Sequence, residues 1–174
     1  MASTTPNEPS AQATSAPSVL MRLLSMTTFV GVVGFAAAEI VQLVQHGQAA
    51  FADASLANAL TWLVGVNAWI TGCGHLFFPN PIADAIGWPK GNPFQWEVGL
   101  AGLLIGILGV MAAGQDRGFQ LATVIAFSVF YLGAAVGHVR EMVRERNFAP
   151  GNAGFIFWYD ILAPAAVISL FVIT

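Results

Sequence analysis

The chain has 174 residues, of which 56% are hydrophobic and 9% charged, and its formal net charge is −3. Average soluble domains carry about 25% charged residues, so this composition, with a mean hydropathy of +0.70, excludes a soluble globular domain. No basic stripe marks a nucleic-acid partner, and the single cysteine, Cys73, excludes an internal disulfide.

Residues 1–18 are rich in Ser, Thr, Ala, Pro and Gln with almost no large apolar side chain, which predicts a disordered polar tail. Residues 19–174 read as a single transmembrane helical domain, because apolar runs long enough to span a hydrocarbon core recur along them. The first span runs from about Val19 to Gln45. Arg22 before its apolar core and Ala36-Ala37-Ala38 near its far end also fit a cleaved signal peptide. The second span, about Leu56 to Phe78, stops at Pro79. The loop from Pro79 to Asn92 holds a short apolar stretch, Ile82–Ile86, which suits an interfacial half-helix with Trp88 at headgroup level. Asn92 and Pro93 then supply an N-cap and a first-turn proline for the third span, with Gln95 where a capping-box partner would sit. That span ends near Gly114. The turn Gln115-Asp116-Arg117-Gly118 leads to the fourth, Phe119 to about Val143, and Asn152 is placed to cap a fifth that reaches Thr174.

The expected fold is therefore an all-α membrane protein, a bundle of five transmembrane helices, or four if the first is a cleaved signal. Five spans place Arg22, Lys90, Arg140, Arg144 and Arg146 on one side and Arg117 on the other. The positive-inside rule then predicts a multi-pass protein of the cell membrane with a cytoplasmic N-terminus and an outside C-terminus.

Four spans each carry an ionisable residue: His75, Glu97, His138 and Asp160. His75 lies four residues before Pro79, Glu97 four after Pro93, and His138 about four before the charged end of its span. At 1.5 Å per residue these sit ~6 Å below the cytoplasmic boundary, with Asp160 ~12 Å down. Ionisable groups in a bilayer cost roughly 2.5–3.5 kcal/mol each on insertion scales, so they face the bundle interior and find partners. One expectation is thus a His/carboxylate cluster near the cytoplasmic face that binds a metal ion or a small polar ligand, with the 79–92 segment as a lid. Imidazole and carboxylate ligands suit Zn, Fe or Mn, and Glu141, three residues after His138, offers another ligand. Two histidines also permit bis-His haem, a less favoured choice beside Glu97 and Asp160. The plainer alternative is two structural hydrogen-bonded pairs.

Helical spacing puts Asn67, Thr71 and His75 on one stripe, and Phe127, Tyr131, Ala134, His138 and Glu141 on one face. Gly99, Gly102, Gly106 and Gly109 form a smooth stripe for close helix packing. Pro164 removes the hydrogen bond normally accepted by the Asp160 carbonyl. Glu39 reads as an interfacial residue or a separate polar contact. No nucleophile is paired with an activating base, which leaves enzyme activity open. Two further classes fit: a proton-coupled carrier using the same residues as a relay, and a non-catalytic accessory subunit of a membrane complex. Partners are then the lipid bilayer and either other membrane subunits or further copies of the chain.

The runs Gly74-His75-Leu76-Phe77-Phe78-Pro79, Ile86-Gly87-Trp88 and Pro93-Phe94-Gln95-Trp96-Glu97-Val98-Gly99, followed by Ala122-Thr123, Gly137-His138-Val139-Arg140-Glu141 and Asn152-x-Gly154, resemble the signature of an uncharacterised family of small bacterial multi-pass integral membrane proteins. The resemblance covers Thr61 to Pro164. It implies that His75, Glu97 and His138 belong to the family pattern, and it brings no activity or substrate.

Overall fold

A computed structural model describes residue 27 and residues 29–47 and 51–174. The polar tail of residues 1–18, Arg22 and the opening of the first span lie outside the described residues. The fold is all-α. Helix α1 spans Val30–His46. Helix α2, Phe51–Ala59, passes through a π-helical stretch, Leu60–Val66, straight into α3, Asn67–Phe77. A short helix α4, Pro79–Ile86, follows, then α5, Phe94–Ala112, and α6, Arg117–Arg144. A single turn, α7, Pro150–Ala153, precedes α8, Phe155–Ile173.

Three helical segments among the described residues, Phe94–Ala112, Arg117–Arg144 and Pro150–Ile173, are long and apolar enough to cross a membrane, and α1 is a shorter apolar helix. Their outer faces carry large apolar side chains: Leu104, Val129, Val136 and Leu162 are all at least 59% exposed. Such a surface is stable against hydrocarbon, where the backbone is satisfied within each helix. The protein is an all-α, multi-pass membrane bundle.

Two packed pairs build it, α2–α3 against α5 and α6 against α8. The first pair approaches backbone to backbone. A Cβ on Gly102 would lie 2.9 Å from Gly72 Cα, and one on Gly109 would lie 2.5 Å from Gly65 N. The glycine stripe of α5 is thus a packing surface, and it meets a second stripe, Gly65, Ala68 and Gly72, on the facing helix. Between the pairs lies a core that includes Leu60, Val64, Phe127 and Val167, each at most 0% exposed.

Local signals explain the ends. Asp116 caps α6 by accepting the Phe119 N–H at 3.0 Å, and Asn92 accepts the Phe94 N–H at 3.0 Å ahead of α5. Gly87 ends α4 in the left-handed region at φ 77°, where a side chain would be strained. Arg117 does more than sit in a turn. Its guanidinium donates to the Phe171 carbonyl and, at 2.6 Å, to Thr174 Oγ1, and it lies 3.6 Å from the centre of the Phe171 ring. It ties the start of α6 to the end of α8.

Two expected caps are corrected. Gln95 closes no capping box, because its side chain turns inward and is 2% exposed. Asn152 does not cap the last long helix. It lies in α7, 1% exposed, and is committed to other partners.

Candidate functional site

The histidines belong to separate hydrogen-bonded sets. At the end of α3, His75 Nδ1 meets Gln95 Oε1. The Gln95 amide nitrogen donates to the Pro79 carbonyl at 2.9 Å, which fixes the amide orientation and makes Oε1 the acceptor. His75 Nδ1 therefore carries the hydrogen. In the neutral ring Nε2 keeps its lone pair, and it takes no hydrogen bond from the described residues.

On α6, His138 Nδ1 meets Asn152 Oδ1 at 2.6 Å. Asn152 Nδ2 donates to the Asn147 carbonyl at 2.8 Å and, more weakly, to the His138 carbonyl at 3.4 Å. The amide is again oriented, so His138 Nδ1 is the donor. Its Nε2 faces Asp160 Oδ2 at 3.3 Å. One proton belongs to that contact, held either by the ring or by the carboxyl group, and the pair is net neutral in both forms. Asp160 is 3% exposed, a depth at which a neutral pair avoids the cost of a lone buried charge.

The α4 and α7 turns hold this second set in place. Asn147 Nδ2 donates to the Ile86 carbonyl at 2.8 Å, so the segment before α7 docks on the end of α4. A Cβ on Gly87 would come within 2.5 Å of Asn147 Oδ1. Glycine is needed there for the φ and for the approach.

A cavity of about 620 Å³ lies between α3–α5 and α6–α8. Thr71, His75, Tyr131, His138, Glu141 and Asp160 contribute its polar groups, while Val98, Val129, Phe130 and Ile156 are among its apolar walls. Gly133 and Gly137 line its open flank, and a Cβ on either would touch nothing within 4 Å. Val129, Gly133 and Gly137 are themselves exposed on α6. The cavity thus opens sideways between membrane-crossing helices. At one end Trp88, Phe94 and Glu141 also line a second cleft, with Glu145 and Asn147.

This arrangement corrects the expected cluster. Among the described residues no group of three or more His, Cys, Asp and Glu side chains is placed to hold a metal ion. The four-residue His/carboxylate cluster near one membrane face does not form, and the metal-binding and small-polar-ligand readings built on it fall, with Zn, Fe and Mn as cofactors. The physical reason is pairing. His75 is satisfied by an amide, His138 and Asp160 neutralise each other, and Glu97 sits exposed on the outer face of the first turn of α5. Glu141 is half-buried at the cavity rim. The structure brings His138 and Asp160 together and puts both in the lining of one cavity with His75; it does not bring Glu97 to them.

Sequence reasoning missed Gln95 and Asn152 as the groups that orient the two histidines. Their signal was faint: an amide beside a helix start reads as a cap. The Asn67-Thr71-His75 stripe does turn inward, with Asn67 buried and the other two on the cavity. Glu39 makes a separate contact at the other end of the bundle, accepting from Ser55 Oγ at 2.6 Å and Asn58 Nδ2 at 2.9 Å.

No curated protein and no solved structure matches the chain. A family model described as a family of unknown function, DUF6790, matches residues 24–174. With nearly its whole length matched, the chain belongs to that family.

Proposed function

We propose that this protein holds a lipid-soluble, amphipathic small molecule in the cavity between α3–α5 and α6–α8. One observation carries the reading: the cavity of about 620 Å³ has apolar walls, a sideways opening between membrane-crossing helices, and polar groups on its inner side. Ligand pockets run roughly 300–1,000 Å³ and combine a mostly apolar lining with a few placed polar groups. A molecule entering through that flank comes from the bilayer. Thr71, His75, Tyr131, Asp160 and Glu141 are its polar contacts in this reading, with His138 holding Asp160 in place.

The same reading takes the unbroken helical run Phe51–Phe77 as a span beside α1, α5, α6 and α8, which makes five in one domain over residues 19–174. The positive-inside rule supports a cytoplasmic α4–α7 end and an outside C-terminus in this reading, because Lys90, Arg140, Arg144 and Arg146 lie at that end.

The test fills the cavity. Gly137→Leu adds a side chain where a Cβ meets nothing and favours the helix. Native mass spectrometry of the full chain extracted in mild detergent should show a retained apolar adduct on the wild type and none on folded Gly137→Leu. Adducts of equal mass and amount on both proteins would refute the reading.

A further inference from the structure

The cavity continues past its rim into the second cleft, because Trp88, Phe94 and Glu141 line both. The charges change sign along that path. In the cavity the guanidinium of Arg140 joins the lining, and Glu141 stands at the junction. In the cleft the charged side chains are Glu141 and Glu145, one helical turn apart, and no cationic side chain of the described residues lines it. None of these three has an ion-pair partner among the described residues, whereas Lys90 is already paired with Asp84 at 3.0 Å. The rings of Trp88 and Phe94, 6.2 Å apart between centroids, wall the cleft beside the carboxylates. Aromatic faces attract an ammonium group through the ring quadrupole. On the inner side Thr71 and Tyr131 bring hydroxyls, while Asp160, 3% exposed, has an Oδ1 without a hydrogen bond among the described residues. That side mixes donors and acceptors and selects no charge by itself.

We infer that the occupant is a phospholipid with a zwitterionic head. Its phosphate lies against Arg140, its ammonium in the cleft of Trp88, Phe94, Glu141 and Glu145, and its glycerol region among the mixed polar groups of the inner side. The sequence of charges matches such a lipid, in which tail, glycerol, phosphate and ammonium follow one another outward. A guanidinium suits a phosphate through charge-assisted hydrogen bonds. An anionic head without the ammonium would set more negative charge before Glu141 and Glu145, and a purely cationic head would bring its charge to Arg140. This inference rests on the ligand reading of the same cavity and names the class of its occupant.

Four probes test it on the full chain in maltoside micelles, with bound adducts titrated by native mass spectrometry. They are palmitoyl-lysophosphatidylcholine, palmitoyl-lysophosphatidylglycerol with phosphate and no ammonium, monopalmitoylglycerol with neither charge, and glycerophosphocholine with no chain. The expected result is saturable binding of the choline lipid, about tenfold tighter than of the other three, and abolished in Gly137→Leu. Glu141→Gln combined with Glu145→Gln should erase the preference for the choline lipid over the glycerol lipid. Arg140→Gln should weaken both phosphate lipids and leave monopalmitoylglycerol unchanged. Equal binding of the two phosphate lipids by the wild type, or a preference that survives in the double variant, overturns the zwitterion inference and leaves the ligand reading standing. Glycerophosphocholine bound as tightly as the choline lipid overturns it too, because the cleft then takes a free head from water. Absence of a saturable adduct with any of the three chain-bearing probes overturns the ligand reading itself.

Discussion

Gln95 presents its carbonyl oxygen to His75 Nδ1 because its amide nitrogen is committed to the Pro79 carbonyl. One side chain on the first turn of α5 thus grips both the last turn of α3 and the start of α4. Gln95→Leu keeps the volume and removes both bonds, leaving the His75 N–H without its acceptor. A buried polar group deprived of its partner costs about 1–3 kcal/mol. Gln95→Leu should lower stability by that amount in reversible unfolding from mixed micelles, and Gln95→Glu, which keeps an acceptor, should lose less. A neutral Gln95→Leu would mean the contact positions nothing.

Coupling should respect the two hydrogen-bonded sets. His138, Asn152 and Asp160 share partners, so double mutants such as Asn152→Ala with Asp160→Asn should deviate from additivity by about 0.5–3 kcal/mol. His75→Ala combined with Asp160→Asn should add within about 0.5 kcal/mol, because no partner is common to both. Strong coupling across the sets would restore the single cluster that the geometry denies.

The fold class was legible because a lipid solvent forces long apolar helices, and hydropathy reads them directly. Arg117–Arg144 and Phe94–Ala112 follow the expected spans to within two or three residues. The inward stripe of Asn67, Thr71 and His75 was legible too, since it needs only the helical period. What failed was the inference from equal depth to convergence. Depth fixes one coordinate, whereas the rotation of each helix fixes where a side chain points. Glu97 shares the level of His75 yet lies on the outer face. That rotation is set by the backbone contact of Gly102 with Gly72 and of Gly109 with Gly65, and the smooth stripe on α5 points Glu97 away from α3. The orienting amides were hidden for another reason: Gln95 and Asn152 occupy helix starts, where local capping and long-range bonding look alike in sequence.

The two classes of glycine should respond in opposite directions. Gly109→Val drives a branched side chain into Gly65 and the Leu60 carbonyl, both under 3 Å from its Cβ. Overpacking of this kind costs about 1–3 kcal/mol and sometimes more. Gly133→Ala enters open space and should stabilise α6 by about 0.5–1 kcal/mol through helix preference. Thermal unfolding in one detergent compares them, and loss of stability in Gly133→Ala would show that its flank is occupied by protein.

The π-helical stretch Leu60–Val66 is held by a bond from outside its own helix. Tyr159, 5% exposed, donates its hydroxyl to the Leu63 carbonyl. π segments are rare because their backbone geometry is poorer than that of an α-helix, and they persist where surrounding structure supports them. Tyr159→Phe keeps the ring packing against Tyr131 and Phe155 and deletes only the hydroxyl. The loss of one such bond is worth about 0.5–1.5 kcal/mol, and it should be felt locally before it is felt globally. Hydrogen exchange of the backbone amides in Leu60–Val66 should quicken in Tyr159→Phe, while those of Gly99–Gly109 keep their rates. Ser169→Ala is the control, because its hydroxyl bonds within α8 to Ala165 at 2.8 Å on an exposed face and should leave Leu60–Val66 unchanged. Unaltered exchange in Tyr159→Phe would show that the π stretch stands on the packing of Leu60, Leu63 and Val64 alone.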